Sequence, residues 1–171
     1  ISCISMNNMF IHTPNMSTST ISFNTISCET MNGMFLESQF TGSGLTNWNV
    51  ENVTNMEEMF SDSSFNTDLS WNTISCIIMY DMFFQTPNMS TCTISFNTIS
   101  CETMYGMFAE SQFTGSGLTN WNVENVTIMN GMFRESAFNT DLSWNTISCI
   151  SMNNMFRTTP ASTCTISFNT I

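Results

Sequence analysis

Cysteine offers this chain its most regular chemistry. Cys3 and Cys28 lie 25 residues apart, as do Cys76 and Cys101, and Cys149 occupies a matching place whose partner would fall just past Ile171. If residues one repeat apart are stacked about 4.8 Å from each other, their Cα separation falls within the window a disulfide accepts. Disulfides joining Cys3 to Cys28 and Cys76 to Cys101 are the preferred expectation, because a secreted array is the setting that preserves them. A reduced apolar ladder is the alternative. Free cysteine packs as a small hydrophobe, and Val53 and Val126 fill the matching place elsewhere. Cys92 and Cys164 stand apart in loops and read either as inter-chain thiols or as idle ones. No CxxC or histidine pairing suggests zinc.

Other side chains point away from catalysis. Asn15, Asn52, Asn88 and Asn125 each begin an Asn-x-Ser/Thr sequence, a glycan acceptor in a secreted eukaryotic protein. Asn15 and Asn88, in proline loops, are the better acceptors; Asn52 and Asn125 are expected to be occupied as helix caps, and unmodified asparagine stays open at all four. His12 is the single histidine and reads as incidental. Glu57, Glu58, Asp62 and Asp68 form a solvated face rather than an acid–base pair. Asp68 and Asp141 lack the ligand-dense loop that calcium needs. Threonines at 18–20, 91–93 and 163–165 recur only every third repeat, so they form no continuous rank. No catalytic residue, metal site or cofactor is expected.

These residues are positioned by a repeat. An aromatic-Asn pair recurs at Phe23, Trp48, Trp71, Phe96, Trp121, Trp144 and Phe168, at steps of 23 to 25 residues, and each Met-x-x-Met-Phe follows at a fixed offset. A period of this size indicates a solenoid of stacked units. Coils are expected to start near residues 1, 26, 51, 74, 99, 124 and 147, about seven in all, with the seven aromatics stacked in the core. Phe23 to Phe96, Trp48 to Trp121 and Trp71 to Trp144 each span 73 residues, so three coils form a larger duplicated unit. Residues 1–171 read as a single array, a window of a longer solenoid, because Ile1 and Ile171 both match mid-repeat positions.

Within a coil, Leu69-Ser70-Trp71-Asn72 alternates at period 2, which predicts a short strand. Val53, Met56, Met59 and Phe60 fall at i, i+3, i+6 and i+7, one face of a short helix. The preceding residue is a capping type throughout (Ser2, Ser27, Asn52, Ser75, Ser100, Asn125, Ser148). The expected coil is therefore a parallel strand, a capped turn and a short helix, an α/β solenoid. The five regularly spaced cysteines would then sit at helix N-termini, where the dipole favours thiolate.

Composition narrows the class of partner. Hydrophobic residues make up 42% and charged residues 9%, with two Lys+Arg against thirteen Asp+Glu and a net charge of −11. A chain this apolar is expected to fold, and one this acidic to be repelled by nucleic acid and anionic membranes. No apolar run approaches the roughly 18 residues of a membrane span.

The motif at 48–60, WNVENVTNMEEMF, and its copy at 121–133, followed by FNTDLSWN at 65–72 and 138–145, resembles the bacterial surface protein repeat of mycoplasma-type lipoproteins and BspA-like surface proteins. The resemblance covers essentially the whole chain. It implies a leucine-rich-repeat-like solenoid on a cell surface, used in attachment or display, with no catalytic residues to transfer. Together with the repeat, it leads to a structural segment of an extracellular fibre or cell-surface stalk that self-associates by coil stacking. The alternative is a surface adhesin that binds a host protein or glycan through the solenoid face.

Overall fold

The computed structural model describes residues 3–169. Ile1 and Ser2, with the first expected cap, and Thr170 and Ile171 lie outside the described residues. Successive repeats fold as tiers laid one on another in register. Single parallel bridges link Ser5 to Thr30, Thr30 to Asn55, Asn55 to Ile78, Ile78 to Thr103, Thr103 to Ile128 and Ile128 to Ser151. Each link spans one sequence repeat, so a residue's spatial neighbour is its own counterpart.

The secondary structure corrects the expectation of an α/β, leucine-rich-repeat-like solenoid. No α-helix occurs among the described residues. The helical elements are 3-10 turns at Leu45–Asn47, Leu118–Asn120 and Ala161–Thr163. Two short strands, β1 (Leu142–Asn145) and β2 (Ile166–Asn169), pair in parallel with Trp144 opposite Phe168. Elsewhere parallel pairing is reduced to isolated bridges such as Leu69–Ile94.

The Met-x-x-Met-Phe segment shows why no helix forms. Its backbone makes overlapping turns, with Met59 N–H donating to Met56 O (3.3 Å), Ser61 N–H to Glu58 O (3.1 Å) and Ser63 N–H to Phe60 O (3.3 Å). The alternate N–H groups leave the tier altogether: Met56 donates to Ile78 O, Glu58 to Tyr80 O, Phe60 to Met82 O and Asp62 to Phe84 O, at 2.8–3.0 Å. A helix running on from Val53 would have used the N–H groups of Glu58, Phe60 and Asp62 internally, leaving only its first turn without partners. This arrangement needs two left-handed residues per tier, four positions apart. They are Asn8 and His12, Gly33 and Glu37, Glu58 and Asp62, Asp81 and Gln85, Gly106 and Glu110, Gly131 and Glu135, and Asn154 and Thr158. A positive φ in the third place is the mark of a type II turn and is incompatible with a continuing helix.

The expected cap positions are likewise turn residues. Cys28, Val53, Cys76, Cys101, Val126 and Cys149 each donate N–H to the carbonyl three residues back. Ser27, Asn52, Ser75, Ser100, Asn125 and Ser148 therefore sit inside tight turns, with no helix to cap. The strand ladder breaks for a second reason. In every third tier Gly44 or Gly117, at φ 92° and 94°, opens a Leu-Thr-Asn 3-10 turn just where the strand would run. A Cβ at Gly117 would come within 2.5 Å of Ile94 O, so glycine is required there.

The core consists of ranks rather than a cluster. The first rank stacks Phe23, Trp48, Trp71, Phe96, Trp121, Trp144 and Phe168, with ring centroids 5.8–6.4 Å apart. The five from Trp48 to Trp144 are buried, Phe168 is partly buried and Phe23, expected in the core, is exposed. A second rank, Phe10, Phe35, Phe60, Phe83, Phe108, Phe133 and Phe156, runs beside it at 5.3–5.8 Å. Both methionines of most tiers fill the space between. Each stacked pair adds about 0.5–1.5 kcal/mol beyond the area it buries. Buried polar side chains are arranged in ranks too. Ser63, Thr86, Ser111 and Ser136 each donate to the carbonyl three residues back, and Thr25, Thr73 and Thr98 each donate to the next tier at 2.7 Å.

A Glu58→Gly substitution separates turn from helix. At a left-handed position the change relieves about 1 kcal/mol of strain, whereas inside a helix it would cost about the same. Urea unfolding should show the variant more stable than its parent; a loss of stability would restore the helix.

Candidate functional site

Three arrangements bring together residues with chemistry: the cysteine rank, a half-buried carboxylate beside a tyrosine pair, and the outward surface of the tiers. The cysteine rank is apolar packing. All seven cysteines are free. Cys28, Cys76 and Cys101 are fully buried, and their Sγ–H groups donate to the carbonyls of Thr30, Ile78 and Thr103 at 3.3–3.4 Å. Burial pushes the Cys76 thiol up to about 12 and the Cys101 thiol higher still. That is the reverse of the thiolate a helix N-terminus would favour, and the helix itself is absent. A buried thiol satisfied by a carbonyl, with valine as its stand-in at Val53 and Val126, fits the reduced ladder. Cys92 is also buried, and burial followed by the charge of Asp68 pushes it up to about 11. Its side chain cannot reach another chain. Cys3 is exposed, and Cys149 and Cys164 are half-buried.

Asp81 occupies the left-handed position that glycine holds one tier on. Its carboxylate lies against Gly106, where a Cβ would collide with it. Tyr80 stacks on Tyr105 at 4.9 Å. Burial pushes Asp81 up to about 6; a hydrogen bond with Tyr80 opposes this, and the charge of Glu58 adds to it. Arg134 reaches Glu110 at 2.7 Å, and His12 Nδ1 lies 2.8 Å from Glu37 Oε2 on the open surface. These contacts belong to the exposed row of left-handed residues. No group of three or more His, Cys, Asp or Glu is placed to hold a metal among the described residues. Asp68 and Asp141 instead accept backbone N–H bonds from Thr93 and Thr165, both at 2.7 Å.

The outward surface carries the sequons. Asn15 and Asn88 are exposed in the proline loops. Asn52 and Asn125 donate through Nδ2 to Ile26 O and Ile99 O of the preceding tier, both at 2.8 Å. They bridge tiers where helix capping was expected. Both lie in open furrows of the same design. One of about 500 Å³ is lined by Ile4, Ile26, Ser27, Glu29, Asn52 and Thr54, and one of about 850 Å³ by their 73-residue counterparts Ile77, Ile99, Ser100, Glu102, Asn125 and Thr127. Sequence reading missed these furrows. The isoleucines were legible as a repeat, but not as residues left outside the core.

The chain matches the family described as Mycoplasma protein of unknown function, DUF285, over residues 4–115 and again over 78–169. The two matches overlap and are offset by about one three-tier unit. No curated protein and no solved structure matches it. No helix among the described residues is long and apolar enough to cross a membrane.

Two measurements check these assignments. Native thiol labelling should modify Cys3 first, with Cys28, Cys76 and Cys101 reacting only on unfolding; a Cys76–Cys101 disulfide in non-reducing mass spectrometry would overturn the ladder. For Asp81, the folded carboxyl keeps its proton to higher pH than the unfolded one, whose value is near 3.8. Its contribution is thus fully present below pH 3.8 and is lost as pH rises through about 6. Solvent screening at this half-exposed site leaves on the order of 1 kcal/mol. Asp81→Asn should match its parent at pH 3.5 and melt higher at pH 7. Equal melting temperatures at pH 7 would remove Asp81 as a buried acid.

Proposed function

We propose, from the premise that this chain belongs to the Mycoplasma protein family of unknown function DUF285, that it is a structural repeat segment of an extracellular fibre or cell-surface stalk. The observation that carries this reading is the equivalence of the tiers. Each offers its neighbour the same aromatic rings, the same carbonyl ladder and the same apolar ranks. A unit that buries its faces only against a copy of itself extends by adding copies. The proposed mechanism is therefore stacking of tier on tier, within one chain and between chains, with no catalytic step.

The net charge of −11 keeps the sides of such a rod apart and soluble. Where a eukaryotic secretory pathway makes it, Asn15 and Asn88 would carry glycans, whereas Asn52 and Asn125 would first have to give up their inter-tier bonds. A second reading, a surface adhesin for a host protein or glycan, draws support from the paired furrows. Two like sites three tiers apart suit a partner that is itself repetitive.

Negative-stain electron microscopy in about 0.15 M salt, where side-to-side repulsion is screened, tests the first reading. Rods longer than one chain, lengthening with concentration, are expected. Particles that stay single at every concentration and are retained by an immobilised surface protein or glycan would transfer the function to the adhesin.

A further inference from the structure

One face of the stack differs in kind from the rest. After each core aromatic the chain places an asparagine, from Asn24 to Asn169, and before it a serine or asparagine, from Ser22 to Ser167. In β1 the aromatic and leucine point inward while Ser143 and Asn145 point out, opposite Ser167 and Asn169 of β2. The same two positions are exposed or half-exposed in every tier. They are extended in β1 and β2 and bent in every third tier, where Asn47 and Asn120 close 3-10 turns, and neither rank contains a charged residue, although the chain carries thirteen acids. Threonine triplets recur only every third tier; these ranks recur in every one.

The ranks are fixed in orientation and nearly flat. The Oδ1 atoms of Asn24, Asn49, Asn97 and Asn122 accept the backbone N–H two residues on, at 3.0–3.4 Å, which sets the side-chain rotation. Asn97 Nδ2 donates to Asn72 Oδ1 at 3.3 Å, tying one tier to the next. Flatness follows from the core behind the face. Successive rings from Trp48 to Trp144 are inclined by only 4–12°, whereas the end pairs Phe23–Trp48 and Trp144–Phe168 are inclined by 30° and 17°. Sheets normally accumulate about 20° of twist per strand, and stacking is what suppresses it. The result is a periodic array of hydroxyl and amide groups, flattest from Trp48 to Trp144, with tiers about 4.8 Å apart and, where the chain is extended, about 6.7 Å between the two ranks.

We propose that this face binds the surface of ice. A periodic face whose two central ranks are uncharged, with Asp68 and Asp141 only at its edge, fits a partner that is also flat, neutral and periodic, and the tier spacing lies near the in-plane repeat of hexagonal ice. Protein partners rarely offer such regularity. A crystalline polysaccharide does, but it is gripped through exposed aromatic platforms, and the five rings from Trp48 to Trp144 behind this face are buried. The face lies along the side of the stack, so tier-on-tier assembly leaves it open.

The test uses the whole chain in an ice-recrystallisation assay and in microscopy of single ice crystals. Asn72→Lys combined with Asn97→Lys puts two bulky charges on the face. Gln39→Lys combined with Gln112→Lys makes the same charge change at exposed sites away from it. The parent and the glutamine variant should suppress recrystallisation at similar concentrations, and the asparagine variant should need at least ten times more. Matching melting curves confirm that all three remain folded. The proposal is overturned if the parent acts no better than an inert protein of equal size, or if the asparagine variant equals its parent. Retention on crystalline cellulose without any effect on ice would also overturn it. Filaments without ice activity would sink this inference alone, leaving the structural role intact.

Discussion

The backbone bond that crosses from one tier to the next sets the terms for everything else in this molecule. Alternate N–H groups of the Met-x-x-Met-Phe segment donate to carbonyls about one repeat away, so half of the local bonding capacity goes to the neighbour. A buried backbone group without a partner costs on the order of 1–3 kcal/mol, and a tier alone would leave several. That cost makes the tiers interdependent. It also explains the left-handed residues, since only a chain that reverses φ at every fourth position can aim alternate N–H groups along the stack while turning inward between them.

Once the backbone repeats along an axis, side chains must repeat as well. Every position meets its own counterpart, so a residue type is acceptable only if it packs against itself. Aromatic rings, methionine, cysteine, valine and hydroxyl groups that donate to a carbonyl all satisfy this. Buried charge does not, because like would face like. The acids consequently lie on the outer rows, where Arg134 bridges Glu110 and Glu135. Among the described residues, Trp48 Nε1 is the one buried side-chain nitrogen without a partner, an exception within its rank. Its counterpart Trp121 donates to Ile94 O at 3.2 Å, and Trp71 and Trp144 donate to the carbonyls of Leu45 and Leu118.

Cysteine takes its character from the same constraint. In a rank flanked by valine, the thiol serves as a small apolar group with one weak donor, and burial holds it protonated. Regular spacing alone suggested bond formation. Regular spacing in a dry rank means instead that each thiol has found a carbonyl, which leaves it little tendency to ionise and exchange.

The amino-acid sequence by itself determined the period, the identity of most inward aromatics and methionines, with Phe23 and Met9 left exposed, and the acidic, lysine-free composition. All three follow from residue type and spacing, which the chain carries without help from its fold. It also held a sign that went unread. Gly, Asn or Asp fills the third place of Met-x-x-Met at Asn8, Gly33, Asp81, Gly106, Gly131 and Asn154, types that favour a left-handed turn and disfavour a helix. What only the tertiary structure decided was the path of the backbone. Over seven or eight residues, apolar positions that repeat every 3.6 and those that repeat every four coincide, so Met56, Met59 and Phe60 face inward on a helix and on a run of turns alike. The choice between them rests on where each N–H finds its acceptor, and for half of those groups the acceptor exists only when the next tier is in place.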